Sequence, residues 1–255
     1  MQNQFILTPY FLDKALPELE SLAKKEWILN NPSLAQEATQ KRMSTLHKGL
    51  ASQVENSIQK GKRPVSIAGD CCTTIGVMAG LQRCGINSWL IWFDAHGDFN
   101  TWETTPSGFL GGMPLAMLVG NGEMQMPDAV GLIPFPEEQV ILTDGRDLDP
   151  EERILVESSS VIHLTDVGDL LDYPFGDRPL YIHFDVDIID PSEVPAVSYP
   201  APGGPSSSQL KEVFHHLATI YDIVALSLSA WNPELDHDGS SQKLCMETFE
   251  ILIPK

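Results

Sequence analysis

An apolar run near the middle of the chain leads directly into three residues that ligate metals in other proteins. Residues 88–93 (SWLIWF) are followed by Asp94, His96 and Asp98, spaced two positions apart. A short apolar run bounded by polar residues is typical of a buried strand. Alternate side chains of a strand share a face. The pattern therefore predicts a strand end from which these three side chains point in one direction.

A second run repeats this arrangement. Residues 181–184 (YIHF) contain His183 and lead into Asp185 and Asp187, again with a spacing of two. Two such strand ends could hold a pair of divalent cations close enough to act on one water molecule. The alternative is that the aspartates cap helices or form turns. That accounts for a single aspartate but poorly for both groups, so the residues favour a two-metal site.

Predicted strands and helices alternate along the chain. We predict strands at 64–68, 88–93, 139–142, 161–164, 179–185 and 223–228, and helices at 13–26, 33–61, 75–81, 115–120, 149–157 and 207–220. Such alternation favours a mostly parallel sheet covered on both faces by helices. Sites in these sheets form beyond the carboxyl ends of the strands, where both acidic groups lie. We expect one α/β domain over residues 1–255, without an internal repeat.

The charge and composition restrict the classes of partner. The formal net charge is -19, from 35 acidic and 16 basic residues. This argues against nonspecific nucleic-acid binding, which requires Lys and Arg, and suits a cationic substrate. No apolar run is long enough to cross a membrane, and the N-terminus does not resemble a signal peptide. The spacing of the four cysteines indicates neither a disulfide framework nor a zinc site. We therefore expect a cytoplasmic protein, and a homo-oligomer is compatible with these features.

Six segments spread over roughly residues 60–240 form a recognisable series: 69–71 (GDC), 94–100 (DAHGDFN), 107–114 (SGFLGGMP), 184–191 (FDVDIIDP), 202–204 (PGG) and 232–233 (NP). In their order and spacing they resemble the ureohydrolase superfamily, which contains arginases, agmatinases and formiminoglutamases. The resemblance implies a three-layer α/β/α fold of the arginase type. It also implies two Mn²⁺ ions per chain and hydrolysis of a guanidinium or amidine group, with release of urea from a guanidinium.

The resemblance assigns roles to the motif residues. Asp94 and Asp185 would bridge both metals, and Asp98 would bind one metal and orient the attacking water. His96 and Asp187 would bind the other metal. The family's remaining ligand is a histidine, and Cys71 occupies its position here.

Cys71 leaves two alternatives open. A thiolate is a softer ligand than imidazole and prefers zinc, iron or cobalt. The other alternative is a small buried cysteine that does not bind. The carboxylate majority of the predicted site still favours manganese.

Other departures concern substrate recognition. Phe109 and Gly111 replace the usual loop asparagine and histidine, and Ala230 replaces an acidic residue that grips the guanidinium in arginases. Asn100 and Ser107 match the family and are expected to bind substrate. Glu103 is a further candidate for gripping the guanidinium, and Glu234 is another.

His183 has three alternative roles. On a strand it faces the same way as Asp185, so it could shuttle protons, add a ligand, or support the metals by hydrogen bonding from beneath.

The incomplete amino-acid recognition set, with small Gly111 and Gly112, predicts an open site. We therefore favour an arginine side chain within a peptide, converted to ornithine, as the substrate. A small guanidino compound such as agmatine is the alternative within the same chemistry. Outside it, the alternatives are a metal-poor, non-catalytic relative and a single-zinc deacetylase of similar fold.

Overall fold

A central sheet of eight strands organises the chain, and the computed structural model describes residues 1–253 of it. The strands in chain order are β1 (Gln2–Thr8), β2 (Tyr10–Phe11), β3 (Lys14–Ala15), β4 (Ile28–Leu29), β5 (Lys62–Ala68), β6 (Trp89–His96), β7 (Val140–Asp147), β8 (Ile162–Leu164), β9 (Leu180–Asp185) and β10 (Ile223–Ser229). The sheet order is β4-β1-β5-β10-β9-β6-β7-β8, and neighbouring strands in it are parallel. Strands β2 and β3 form a separate antiparallel hairpin.

Helices cover both faces of this sheet. They are α1 (Thr39–Gln59), α2 (Thr74–Arg83), α3 (Pro114–Leu118), α4 (Gln125–Val130), α5 (Pro150–Ser158), α6 (Ser207–Ile220) and α7 (Ser240–Phe249). Buried residues of α1–α5 belong to the core on one face, and those of α6 and α7 to the core on the other. Central strands are apolar on both faces, as expected between two helical layers. The predicted three-layer α/β/α architecture is confirmed.

Two helix predictions near the N-terminus are corrected. Residues 13–26 contain β3 and a 3₁₀ helix, Pro17–Leu22, instead of an α-helix. Its buried residues, Leu19 and Leu22, are three positions apart, which matches the 3₁₀ period. The helix predicted at 33–61 begins at Thr39. Strand β1 and helices α4 and α7 were not predicted, because their polar residues obscure the apolar period.

The strand order creates the crevice that holds the site. Of the strands in this sheet, β6 is the next one after β5 along the chain. In the sheet, however, β10 and β9 lie between them. The carboxyl ends of these four strands therefore adjoin, and the chain leaves the sheet there in different directions. Crevices of this kind are the usual ligand sites of open parallel sheets.

Two composition-based expectations can be compared with the structure. All four cysteines are free thiols. Within residues 1–253, no helix has both the length and the apolar character needed to span a bilayer.

Candidate metal centre

Cys71 is brought to the crevice by a tight turn after β5. A Cβ atom at Gly69 would collide with the carbonyl oxygen of Tyr10, so only glycine permits this approach. The Asp70 carboxylate accepts hydrogen bonds from the backbone N–H groups of Cys72 (2.9 Å) and Leu12 (2.7 Å). Asp70 thereby caps the turn that leads into α2 and ties it to the β2–β3 hairpin.

Asp94 and His96 lie at the end of β6, as the strand pattern predicts. Oδ1 of Asp94 accepts from the backbone N–H of His96 (2.7 Å), and Oδ2 accepts from Nε1 of Trp92 (3.0 Å). Nδ1 of His96 is 3.3 Å from Asp94 Oδ1 and 3.1 Å from Asp187 Oδ2. One ligand atom from each of Asp94, His96 and Asp187 lies within 4.8 Å of the others. These three residues form what we call the nitrogen–oxygen position.

Asp98 reaches the crevice by a different route from the one predicted. Strand β6 ends at His96, and Asp98 has a left-handed φ of 48°. Its carbonyl oxygen accepts from the backbone N–H groups of Leu115 (2.9 Å) and Ala116 (3.1 Å) at the start of α3. Its Oδ2 atom is buried and has no hydrogen-bond partner among the described residues. The extended-strand argument thus applies to Asp94 and His96 but not to Asp98.

A second group of ligand atoms lies beside the first and shares Asp94 with it. One atom from each of Cys71, Asp94, His183 and Asp185 lies within 4.8 Å of the others. The Cys71 sulfur is 2.7 Å from Asp185 Oδ2, 3.9 Å from Asp94 Oδ2 and 3.2 Å from Ser229 Oγ. We call these four residues the sulfur position. Because Asp185 Oδ1 also accepts from the backbone N–H of Asp187 (2.9 Å), the two positions are adjacent.

His183 lies beneath the floor of the crevice. Its side chain is fully buried and does not line the cleft. Nδ1 is 2.8 Å from Ser227 Oγ, and the imidazole packs against the Trp92 ring with centroids 4.1 Å apart. Burial lowers the pKa of His183 to about 3, so the imidazole is neutral. A proton shuttle to substrate would need an open path, and this position favours ligation or support from beneath.

The buried carboxylates of the site favour the binding of positive charge. Burial raises the pKa values of Asp94, Asp98 and Asp185, and neighbouring carboxylates raise them further. Burial lowers the pKa of His96, but hydrogen bonds to Asp187 and Asp94 outweigh it and raise the pKa to about 12. In the metal-free protein, a proton on His96 thus balances negative charge that a bound cation would otherwise balance. With the unpartnered Asp98 oxygen, this donor set fits two divalent cations.

A cleft of about 590 Å³ opens above these groups. One wall of the cleft is aromatic and consists of Phe11, Phe109 and Tyr199. The ring centroid of Phe109 is 6.3 Å from that of Phe11 and 5.0 Å from that of Tyr199. Asn100 and Ser107, which the sequence analysis expects to bind substrate, line the cleft.

Three further acids line the cleft and were not predicted: Asp147, Asp149 and Glu152. Asn100 Nδ2 donates to Asp149 Oδ2 (3.0 Å). Glu152 accepts from the backbone N–H groups of Phe99 (2.8 Å) and Asp149 (3.1 Å). The sequence did contain a signal for these residues, namely the aspartates that follow the strand predicted at 139–142. Acids at that strand end would reach the same crevice.

The remaining recognition candidates occupy different environments around the site. Glu103 is exposed, accepts from the Thr101 hydroxyl (2.7 Å) and does not line the cleft. The space beside Gly111 is not open, because a Cβ there would collide with the Phe109 ring, whereas Gly112 does border open space. Glu234 lines a smaller, adjoining cavity of about 280 Å³. Ala230 borders both cavities.

Comparison with known proteins gives a consistent set of similarities. The profile of the Arginase family matches residues 26–252. The chain is 34% identical over 223 residues to the arginase of Bacillus subtilis (strain 168), covering 81% of this chain and 74% of that protein. It is 30% identical over 219 residues to the arginase of Bacillus caldovelox, covering 81% and 73%. A crystal structure of arginase from Bacillus subtilis superimposes with a TM-score of 0.84 at 26% identity, covering 100% of this chain and 99% of the other.

Proposed function

Because this chain belongs to the arginase family and is a binuclear-metal ureohydrolase, we propose that it hydrolyses the guanidino group of a peptide arginine side chain, giving ornithine and urea. The observation that carries the proposal is the pair of ligand clusters that share Asp94 at the floor of an acidic cleft. Two cations, when bound there, would supply Lewis acidity and lower the pKa of water. We propose Mn²⁺ for the nitrogen–oxygen position, whose hard carboxylate donors suit it.

We propose that Asp98 orients the attacking water and accepts its proton. Its Oδ2 atom is buried at the cleft and lacks a hydrogen-bond partner among residues 1–253. Burial, followed by the nearby Asp94 charge, raises the pKa of Asp98 well above its usual value. A carboxylate in this environment can hold a water proton and pass it on to the leaving amine. This is the general acid–base role that guanidinium hydrolysis requires.

The acids at the cleft support a cationic substrate. Asp147 ends β7 and Asp149 follows it, whereas Ala230 follows β10, and β9 and β6 lie between these two strands in the sheet. Asn100 holds the Asp149 carboxylate in place. A carboxylate pairs well with a guanidinium through two parallel hydrogen bonds. We therefore propose that Asp147 and Asp149 bind the guanidinium, because the uncharged side chain of Ala230 cannot pair with it.

The size of the cleft supports a substrate larger than a free amino acid. A volume of about 590 Å³ is within the range that drug-sized ligands occupy. The adjoining cavity of about 280 Å³ shares the wall formed by Phe11, Gly69, Ser198 and Ala230. Residues flanking an arginine could extend into this second cavity and along the aromatic wall. Agmatine, or another small guanidino compound, is the alternative substrate of the same chemistry.

Urea release from a defined substrate panel tests the proposal. The metal-loaded protein would be assayed with L-arginine, agmatine and an end-blocked arginine peptide, with ornithine formation in the peptide confirmed by mass spectrometry. Asp98→Asn should abolish urea release, while the matched surface variant Asp128→Asn should leave it unchanged, since Asp128 is exposed. Absence of urea from every guanidino compound would exclude the proposed reaction.

A further inference from the structure

We propose that His183 is a metal ligand of the sulfur position and that this position prefers zinc, iron or cobalt to manganese. The proposal rests on the two-metal site proposed above, and it identifies which kind of metal each position takes. It does not depend on the substrate.

The four donors of the sulfur position form a complete set for a tetrahedral cation. Cys71 offers a sulfur, His183 a nitrogen, and Asp94 and Asp185 one oxygen each, all within 4.8 Å of one another. These four residues are at most 6% exposed. Four-coordination by sulfur, nitrogen and oxygen is typical of Zn²⁺, and thiolate selects against hard Mn²⁺.

Hydrogen bonding on the far side of the His183 ring orients it for ligation. Nδ1 is 2.8 Å from Ser227 Oγ, which is 2.9 Å from the hydroxyl of Tyr181. A ligating histidine usually donates its second ring N–H to an oxygen in this way, which fixes the tautomer. With the Nδ1 proton donated to Ser227, the Nε2 lone pair faces the sulfur position. There it has only a long contact of 3.5 Å with Ser229 Oγ among the described hydrogen bonds.

The position of His183 also accounts for the cysteine at position 71. The family resemblance places an imidazole at residue 71, and the thiol there is smaller. His183 comes from β9 and directs its imidazole to the same group of ligand atoms. The ligand group therefore keeps a nitrogen donor, which now comes from β9, and it gains the sulfur of Cys71 as a further donor. The nitrogen–oxygen position has no sulfur donor, so the two positions differ in the metals they favour.

Cobalt spectroscopy of the protein tests both ligands without an activity measurement. One equivalent of Co²⁺ would be added to the metal-free protein. Absorption then reports a thiolate-to-cobalt charge-transfer band, and proton NMR reports the hyperfine-shifted ring N–H of a ligating histidine. The variants are Cys71→Ser and His183→Gln. Their matched controls are Cys72→Ser and His47→Gln, because Cys72 and His47 are equally buried but belong to neither cluster.

We expect the wild-type protein to show both signals. Cys71→Ser should lose the charge-transfer band, His183→Gln should lose the shifted N–H resonance, and both controls should keep both signals. In competition, Zn²⁺ should displace Mn²⁺ from this position with a preference of at least about tenfold. A wild-type protein without the band, a resonance that persists in His183→Gln, or an equal preference for Mn²⁺ would overturn the proposal.

A second variant keeps the test valid if His183→Gln does not fold. Ser227→Ala retains the imidazole but removes its hydrogen-bond partner, so the shifted resonance should remain and change its position. A resonance that does not move would count against ligation by His183. Urea release is measured separately on the same samples. Both cobalt signals without urea would leave this inference standing and reject the proposed reaction, whereas urea release without them would do the reverse.

Discussion

The sulfur of Cys71 lies 2.7 Å from Oδ2 of Asp185, which joins the turn after β5 to the end of β9 although β10 separates these strands in the sheet. Burial, followed by the charge of Asp185, raises the pKa of Cys71 well above its usual value. The metal-free site therefore holds a protonated thiol that donates to a carboxylate. Because a thiol must lose its proton to ligate, metal uptake through Cys71 would release that proton.

Asp185→Ala should remove metal from both positions and abolish activity. Asp185 is 2% exposed, contacts Cys71 and Asp187, and connects the two clusters. We expect urea release to fall by at least about a hundredfold, since loss of outer-shell partners alone costs up to that much. Metal analysis and urea release would be compared with Asp128→Asn. A variant with two metals per chain and normal turnover would contradict the two-metal assignment.

Cys71→His should raise the affinity for Mn²⁺. An imidazole replaces a soft thiolate and suits manganese better. The measurement is a Mn²⁺ titration followed by electron paramagnetic resonance. Since Cys71 and His183 converge on the same ligand cluster, Cys71→His combined with His183→Ser would relieve crowding in the larger variant. Titration curves that match the wild type in both variants would place residue 71 outside the metal coordination.

The strand period predicted where the candidate ligands on strands lie, but not the conformation of the candidate ligands that depend on loops. Asp94, His96 and Asp185 follow apolar runs, so their positions follow from the strand period alone. Asp98 could not be placed in this way, because its left-handed φ of 48° depends on contacts with α3. The cleft acids Asp147 and Asp149 were missed because the predicted strand stopped at 142, whereas β7 continues to Asp147.

Side-chain placement inside loops was the second limit. Glycine at position 111 suggested open space, but the Phe109 ring lies where a side chain there would be. That ring stacks on Phe11 and packs at a tilt against Tyr199, and both residues are far from it in the sequence. The family resemblance identified the replacement of an asparagine by Phe109, but only the folded loop determines which volume the ring fills.

Arg146→Lys should weaken the nitrogen–oxygen position specifically. The guanidinium donates to the backbone carbonyl groups of Asp187 (3.2 Å), Ile188 (3.1 Å) and Ala201 (2.7 Å), which fixes the turn that carries Asp187, a proposed ligand. A lysine ammonium cannot reproduce this planar set of donors. We expect Mn²⁺ affinity to fall about 10–100-fold, with the cobalt signals of the sulfur position retained. Arg153→Lys, at an exposed residue, is the control, and an unchanged affinity in Arg146→Lys would reject the positioning role.

The stability of the metal-free protein should depend on pH through Glu152. Burial raises the pKa of Glu152 from 4.5 to about 7. A raised folded-state pKa gives a contribution to stability that is fully present below pH 4.5 and is lost as pH rises through about 7. Thermal melts from pH 4 to 8 should show this loss in the wild type relative to Glu152→Gln, which cannot ionise. A constant difference between the two melting temperatures across this range would contradict the assignment.

Arginine within a peptide should be hydrolysed faster than free L-arginine. Phe109 and Gly111 replace the loop asparagine and histidine, so the free carboxylate loses hydrogen-bond partners, each worth about 1–3 kcal/mol. The adjoining cavity beyond Ala230 offers room for flanking residues, and the charge of -19 attracts a cationic peptide at low salt. We expect kcat/KM for an end-blocked arginine peptide to exceed that for L-arginine by about tenfold or more. Phe109→Ala, which removes part of the aromatic wall, should reduce this ratio. If L-arginine has the higher kcat/KM, the cleft must recognise the free amino acid through its own acids, Asp147 and Asp149, and the peptide proposal fails.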